Sequence, residues 1–375
     1  MTTLSDVALQ LSEQVLEQPC WAFGDSGARC AVLTQAGVAR NVFEKIDDAA
    51  QVHKYTGVAP KVALHMLWDK TDSYRALRKH AENRSLCLGT INSNTFQGED
   101  HRLCSVTHSD RKVRQEAIDH HFACIDIMGE TGSRDLKVWI ADGVGSPGQG
   151  DLRSRQQWLA ESLHRIYERL GKHQRLVLEY KFFGSAFYHS DVPDWSTAYA
   201  QVASLGERAV VCLNTGHYAA GTSIEFIVAQ LLRLGKLGSL EFNSRLYTDN
   251  ALIIGAADPF KLFRILFEIV RTGDYGYGAE VAFALDECRN IRDKVSGQIR
   301  SVLHVQEMTA RALMVDQQAL EMAQSKGDAL LANEIFMNAF YTDVRPFLAS
   351  WRESRGLPAD PIGAYARSEY CAGIS

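Results

Sequence analysis

Two textures alternate along this chain. Short, nearly continuous apolar runs stand at 21–24, 62–68, 85–92, 136–141, 175–183, 209–214, 238–243 and 281–286. Their length and their polar flanks read as buried strands. Between them lie amphipathic stretches with helical spacing, at 41–55, 73–83, 109–131, 152–170, 194–205, 223–234 and 259–272. Asp258-Pro259 is a start signal, a capping side chain followed by proline at the first helical position. Eight strands followed by helices predict parallel crossover units. The economical solution is an α/β chain closed into a (β/α)₈ TIM barrel, with an open doubly wound sheet as the alternative.

The pattern changes at both ends. Residues 1–19 read as one amphipathic helix and 20–296 as the barrel. Residues 297–375 read as a helical C-terminal extension, with long helices at 301–322 and 328–354 and an irregular tail around Pro358, Asp360 and Pro361.

Composition narrows the class. The chain has 375 residues, 46% hydrophobic and 23% charged. Those ordinary proportions exclude wholesale disorder and a disulfide scaffold. Forty basic residues against 45 acidic give −5, so no basic excess argues for nucleic acid. The first basic residue is Arg29, which leaves no charged leader region. Apolar runs such as 226–232 fall far short of a membrane span. The eight cysteines form no C-x-x-C pair and read as reduced, buried thiols of a cytoplasmic protein.

In a barrel, chemistry sits where strands end. The second run ends in His65 and Asp69, and the fourth holds Trp139 and ends in Asp142-Gly143. The fifth ends in Glu179 and Lys181, and the sixth in Asn214-Thr215-Gly216-His217. The seventh ends in Glu241-Phe242-Asn243, and the eighth in Asp286. Charged groups inside apolar runs are costly unless paired or metal-bound. Glu179, Glu241 and Asp286, with the amide of Asn214, make an oxygen-rich set suited to Mg²⁺ or Mn²⁺. A salt-bridge network with Lys181 and Arg245 is the bland alternative. Asp249, in the following polar loop, could hold part of a second site with His217. The stretch 143–148 fits G-x-G-x-x-G, but Pro147 and Gly150 lengthen the loop beyond a dinucleotide fingerprint. His120-His121 falls within a long amphipathic helix and reads as structural.

These residues carry a resemblance. VALHMLWDK (62–70), TGSRDLKVWIADG (131–143), LEYKFF (178–183), NTGHYAAGTSIEFI (214–227), EFNSRLY (241–247), GAADPFKLFRI (255–265) and TDVRPFLA (342–349) resemble the shorter bacterial L-rhamnose isomerases of the xylose-isomerase-like barrels. The resemblance implies aldose–ketose isomerisation of a small sugar, with hydrogen moving between C1 and C2. It implies divalent metal, Mn²⁺ first with Mg²⁺ or Co²⁺ as alternatives, and a homotetramer or homodimer. His65 and Asp69 match a ring-opening pair, Trp139 a sugar-contacting aromatic, and Lys181 the lysine that polarises the substrate oxygen. Glu179 and Asp286 match first-metal ligands, and His217 and Asp249 second-metal ligands.

Three positions depart from the family pattern. Asn214 stands where the family has aspartate, Glu241 where it has histidine, and Asp249-Asn250-Ala251 where it has three aspartates. One carboxylate is lost and one gained at the first site, so its formal charge stays −3, whereas the second site loses a ligand. One bound metal is therefore expected, with a weakened second site. The alternatives are a sugar-binding descendant without activity and a single-metal sugar epimerase. The acidic balance argues against a metal-dependent nuclease barrel.

Overall fold

The computed structural model describes residues 3–28, 31–33, 37–98, 101, 104–183, 188–245, 252–272, 280–287 and 293–374. Eight parallel strands close into a barrel: β1 Leu16–Pro19, β2 Lys61–His65, β3 Cys87–Asn92, β4 Asp135–Trp139, β5 Arg175–Glu179, β6 Ala209–Asn214, β7 Leu237–Phe242 and β8 Ala282–Leu285. Each strand pairs with its neighbours in sequence, and β8 pairs with β1 to close the ring. The closed barrel expected from the alternation is what forms.

The helices follow the expected course. They are α1 Leu4–Ser12, α2 Val42–Thr56, α3 Tyr74–Glu82, α4 Arg111–Thr131, α5 Leu152–Arg169, α6 Trp195–Leu205, α7 Ile224–Arg233 and α8 Pro259–Val270. Side-chain caps start them. Asn41, Ser73, Asp110, Asp151, Asp194, Ser223 and Asp258 each accept from backbone N–H groups of the first turn, groups a helix otherwise leaves unsatisfied.

Two boundaries move. The first strand is Leu16–Pro19, inside the stretch expected to be helical, and residues 20–23 form a 3₁₀ turn instead of a strand. LEQP carries Glu17 and Gln18 mid-strand, so it lacks the apolar signature. Glu17 accepts from the backbone and hydroxyl of Thr90, and Gln18 donates to the carbonyls of Ala49 and Ala59. Position 297 falls inside α9, Lys294–Leu313, which follows β8 and packs against both α8 and α2. It therefore completes the helical ring.

Beyond it come α10 Gln317–Ser325, α11 Ala329–Tyr341, α12 Arg345–Ser354, α13 Pro361–Ala366 and α14 Glu369–Ile374. Pro346 opens α12 and divides the expected long helix, and the tail after Asp360 is helical instead of irregular. Phe336 and Phe340 of α11 pack on Phe260 and Phe263 of α8, and Trp351 Nε1 of α12 donates to the Ala8 carbonyl of α1 at 3.1 Å.

Two layers of packing result. Outward-facing strand residues such as Leu136, Val138, Leu178, Leu213 and Leu240 join the helices in one continuous core. Val177, Val210 and Cys212 form a separate small cluster. On the same strands, Lys137, Glu179, Asn214 and Glu241 alternate with the outward residues and are all buried. At the start of the strands Arg175 pairs bidentately with Asp135, at 2.8 and 2.9 Å. No helix among the described residues is long and apolar enough to cross a membrane. Cys20, Cys87, Cys104, Cys124, Cys212 and Cys371 are not in disulfides.

Asp48 of α2 accepts from the Tyr370 hydroxyl of α14 at 2.8 Å, and burial lifts its carboxyl from 3.8 to about 7. Below about pH 4 folded and unfolded chains both hold this proton. Between about pH 4 and 7 only the folded chain holds it, so stability declines with rising pH across that window. Asp48→Asn, whose amide oxygen can still accept from Tyr370, is expected to remove that decline. Its Tm should exceed the wild type's by about 2 °C or more at pH 8 and match it at pH 4, as read by calorimetry.

Candidate active site at the barrel mouth

The closed strand order divides the mouth into two halves. The half fed by β1 to β4 is aromatic. His65, closing β2, stacks on Trp68 at 3.8 Å between centroids and 17° between planes, and meets Trp21 and Phe96 edge-on. Phe96 packs on Trp139 at 4.4 Å. The loop after β3 that carries Phe96 is tied down on both sides. Trp68 Nε1 donates to Gln97 at 2.8 Å, and the Asn94 backbone N–H donates to His120 Nε2 at 2.9 Å. Burial, with His101 and Lys70 adding to it, lowers the His120 pKa to about 4, which keeps the ring a neutral acceptor. The His pair is structural, as expected.

Asp69 is engaged within the protein. Its carboxylate accepts from the His65 backbone N–H at 2.8 Å and from Lys45 Nζ at 2.6 Å, fully buried. It holds the turn that carries His65 and Trp68, in which Leu67 takes a φ of 106°, a conformation costly for a side chain with a Cβ. Asp142, another strand-end acid, is likewise used internally. It accepts four hydrogen bonds from Ser105 and Thr107, fastening the loop between β3 and α4. The glycine-rich stretch after it forms half of a short antiparallel ribbon, Gly143–Val144 against His189–Ser190. A Cβ at Gly143 would lie 2.1 Å from the His189 carbonyl, so that glycine serves packing.

The half fed by β5 to β8 is polar. Glu179, Asn214, Glu241 and Asp286 are all buried and meet at one point. Asn214 Nδ2 lies 2.9 Å from Glu241, 2.9 Å from Asp286 and 3.3 Å from Glu179. Asn243 Nδ2 donates to Asp286 at 3.2 Å, and His217 Nδ1 lies 2.8 Å from Glu179. Lys137, mid-strand in β4, reaches up to ion-pair with Glu241. Lys181 sits with its Nζ 5.2 Å from the centre of the Trp139 ring, and Trp139 stacks on His217. His217 thus touches the cluster, Lys181 and Trp139 lie beside His217, and His65 belongs to the aromatic half. Asp249, Asn250 and Ala251 lie outside the described residues.

The cluster's protons are unevenly held. Burial raises Glu179, but His217, Lys137 and Lys181 outweigh it and hold the carboxyl below its ordinary value. Burial, helped by Glu179 and Asp286, lifts Glu241 to about 8 against the pull of Lys137. Burial alone would lower Lys137, and the facing Glu241 and Glu179 drive it well above the ordinary lysine value. The Cys212 thiol is itself pushed up by burial and stays protonated.

Ligand atoms of Glu179, Glu241 and Cys212 all lie within 4.8 Å of one another, so a candidate acidic metal site is present. The donors do not, however, fit a divalent ion at the centre of the four-residue cluster. The Gly216 N–H donates to Asn214 Oδ1 at 2.8 Å. An N–H needs an acceptor, which fixes the amide's orientation and turns its NH₂, no metal ligand, toward the carboxylates. Glu241 is engaged at both oxygens, by Lys137 and by Asn214.

Strand-end reasoning missed three side chains. Trp21 and Phe96 have no polar signal to mark them. Lys137 had one, a lone charge inside an apolar run, the same sign that singled out Glu179.

The Lys45–Asp69 pair yields a prediction. Asp69→Asn leaves the Lys45 ammonium buried without its carboxylate, and should lower unfolding free energy by about 3–5 kcal/mol in urea titrations. Unchanged stability would show that the pair does not hold this turn.

No protein-family model matches the chain. A probable sugar isomerase of Rhizobium meliloti is 35% identical over 363 residues, covering 95% of this chain and 84% of that protein. A second, from Mesorhizobium japonicum, is 36% identical with the same coverage. Among solved structures, an L-ribulose 3-epimerase superposes with a TM-score of 0.59 at 13% identity, over 84% of this chain and 98% of that one. A D-psicose 3-epimerase from Clostridium cellulolyticum, solved with D-tagatose, gives 0.55 at 11% identity, over 81% and 99%. The IolI protein, solved with a bound zinc, gives 0.54 at 12% identity, over 80% and 98%. These likenesses bear out the barrel. The sequence relatives settle the lineage: the chain is a TIM barrel and belongs to the family of these probable sugar isomerases.

Proposed function

We propose that the chain is an aldose–ketose isomerase acting on a free sugar, L-rhamnose or a relative. The divided mouth carries this reading. A sugar has the same two-sidedness, with C–H faces that lie on aromatic rings and hydroxyls that bond to carboxylates and amides. Trp139 Nε1 is buried and has no hydrogen-bond partner among the described residues, so it is a ready donor to a substrate oxygen.

Isomerisation takes a proton from C2 and returns it at C1 through an enediol. That requires a base, an acid and a positive charge at the oxygen that becomes an alkoxide. Glu179, held ionised, suits the base. Glu241, whose carboxyl burial raises to about 8, is the acid once it takes up a proton in exchange for its bond to Lys137. Two carboxyls pushed apart in this way mark acid and base roles. Lys181, beside Trp139, supplies the charge. The Mn²⁺, Mg²⁺ or Co²⁺ implied by the resemblance takes no part in this reading, because the Asn214 NH₂ and the Lys137 ammonium already stand among the carboxylates. Epimerisation at C3 is the second reading. The Glu179–Glu241 pair favours it, since that chemistry needs the same acid and base at one carbon.

The test is product analysis over a panel of deoxy and ordinary aldoses and ketoses. Aldose converted to ketose is the expected result. A ketose inverted at C3 without aldose would favour epimerisation, and binding without turnover would leave a sugar-binding descendant. Lys181→Met should lower kcat by about a hundredfold or more with a smaller change in KM.

A further inference from the structure

We propose that Lys137 and Asn214 together take the place of a divalent cation, so that this chain neutralises its strand-end carboxylates from within. The inference goes beyond the assignment of a sugar reaction and does not depend on which sugar is turned over.

Three carboxyls face one another at the top of a closed barrel, each at most 7% exposed. Groups so placed need a counter-charge or must take up protons. An ion would need oxygens on several sides and no cation beside it. The chain offers the reverse. The ammonium of Lys137 is 2% exposed and locked against Glu241, where a second, doubly charged cation would be repelled. The Asn214 NH₂ occupies the centre, within 3.3 Å of oxygens from all three carboxyls. Its two hydrogens do in that place what an ion's charge would do, holding three acceptors together. Asp286 is further engaged by Asn243, and Glu179 by His217.

The two side chains act as a set. Lys137 comes from β4 and Asn214 from β6, while the carboxyls come from β5, β7 and the end of β8. One charge and one amide dipole thus bridge the whole polar half of the mouth. An aspartate at 214 would accept from Gly216 with one oxygen and turn the other inward. That would restore a ligand and add a fourth negative charge.

The experiment locates the ion directly. Crystals of the wild type and of a Lys137→Ala/Asn214→Asp double variant are soaked in Mn²⁺, and the anomalous signal is mapped. In the double variant a peak is expected between Glu179, Glu241, Asp286 and the carboxylate introduced at position 214, with a rise in Tm of about 3 °C or more at saturating Mn²⁺. In the wild type no peak is expected among Glu179, Glu241 and Asp286, whatever binds elsewhere. A peak there in the wild type overturns the proposal. So does a folded double variant with no peak, because Lys137 and Asn214 would then not be what excludes the ion. A double variant that folds only with Mn²⁺ supports it, since the ion then replaces the ammonium. If Lys137→Ala does not fold under either condition, Lys137→Met keeps the buried stem and carries the same two outcomes. No sugar enters these measurements, so their failure is distinct from failure of the isomerase reading.

Discussion

A charged side chain that points into a closed barrel has to find its counter-charge or its hydrogen-bond donors inside it. No edge strand opens a way to solvent, and the interior is narrow enough for side chains to fill. That constraint organises this protein from floor to mouth. At the floor, Arg175 pairs with Asp135. On β1 the carboxylate of Glu17 accepts from the Thr90 hydroxyl. At the mouth, Lys137, Asn214 and three carboxyls form the largest of these arrangements. The polar half of the site is therefore also a structural element. Its groups hold β4 to β8 in register while they present oxygens to the mouth.

Much of this is legible in the residues. Seven of the eight strands and all seven expected ring helices lie where periodicity and capping residues place them. Charged positions in apolar runs lead to Glu179, Glu241 and Asp286, and strand-end position leads to Asn214, Trp139 and His65. The misses share a physical reason. LEQP looks unlike a strand because its interior carries Glu and Gln, and their partners, Thr90 and two backbone carbonyls, are distant in sequence. The eighth ring helix reads as part of an extension because helical spacing runs on past it without a strand. Its membership depends on what it packs against.

The site shows the sharper limit. Asp69 and Glu179 are equally acidic in sequence, yet Asp69 is consumed by Lys45 and a backbone amide. Asn214 could offer either end of its amide to the cluster, and only the Gly216 N–H decides which. Sequence names the groups that can do chemistry; their orientation and prior engagements come from partners far along the chain.

The place of α9 has a consequence for how the molecule comes into being. This helix joins α8 to α2 and receives α1, so the beginning of the chain is seated on a segment that follows the last strand. Gln14 reaches Thr309, and Ala8 accepts from Trp351. On a ribosome, β1 and α2 emerge long before the surface that covers them. Until α9 arrives, α2 lacks one of the helices it packs against, and β1 lacks its second neighbour β8. The ring can therefore close only once β8 has been made, late in synthesis, and whatever part of the sheet forms earlier has an open edge.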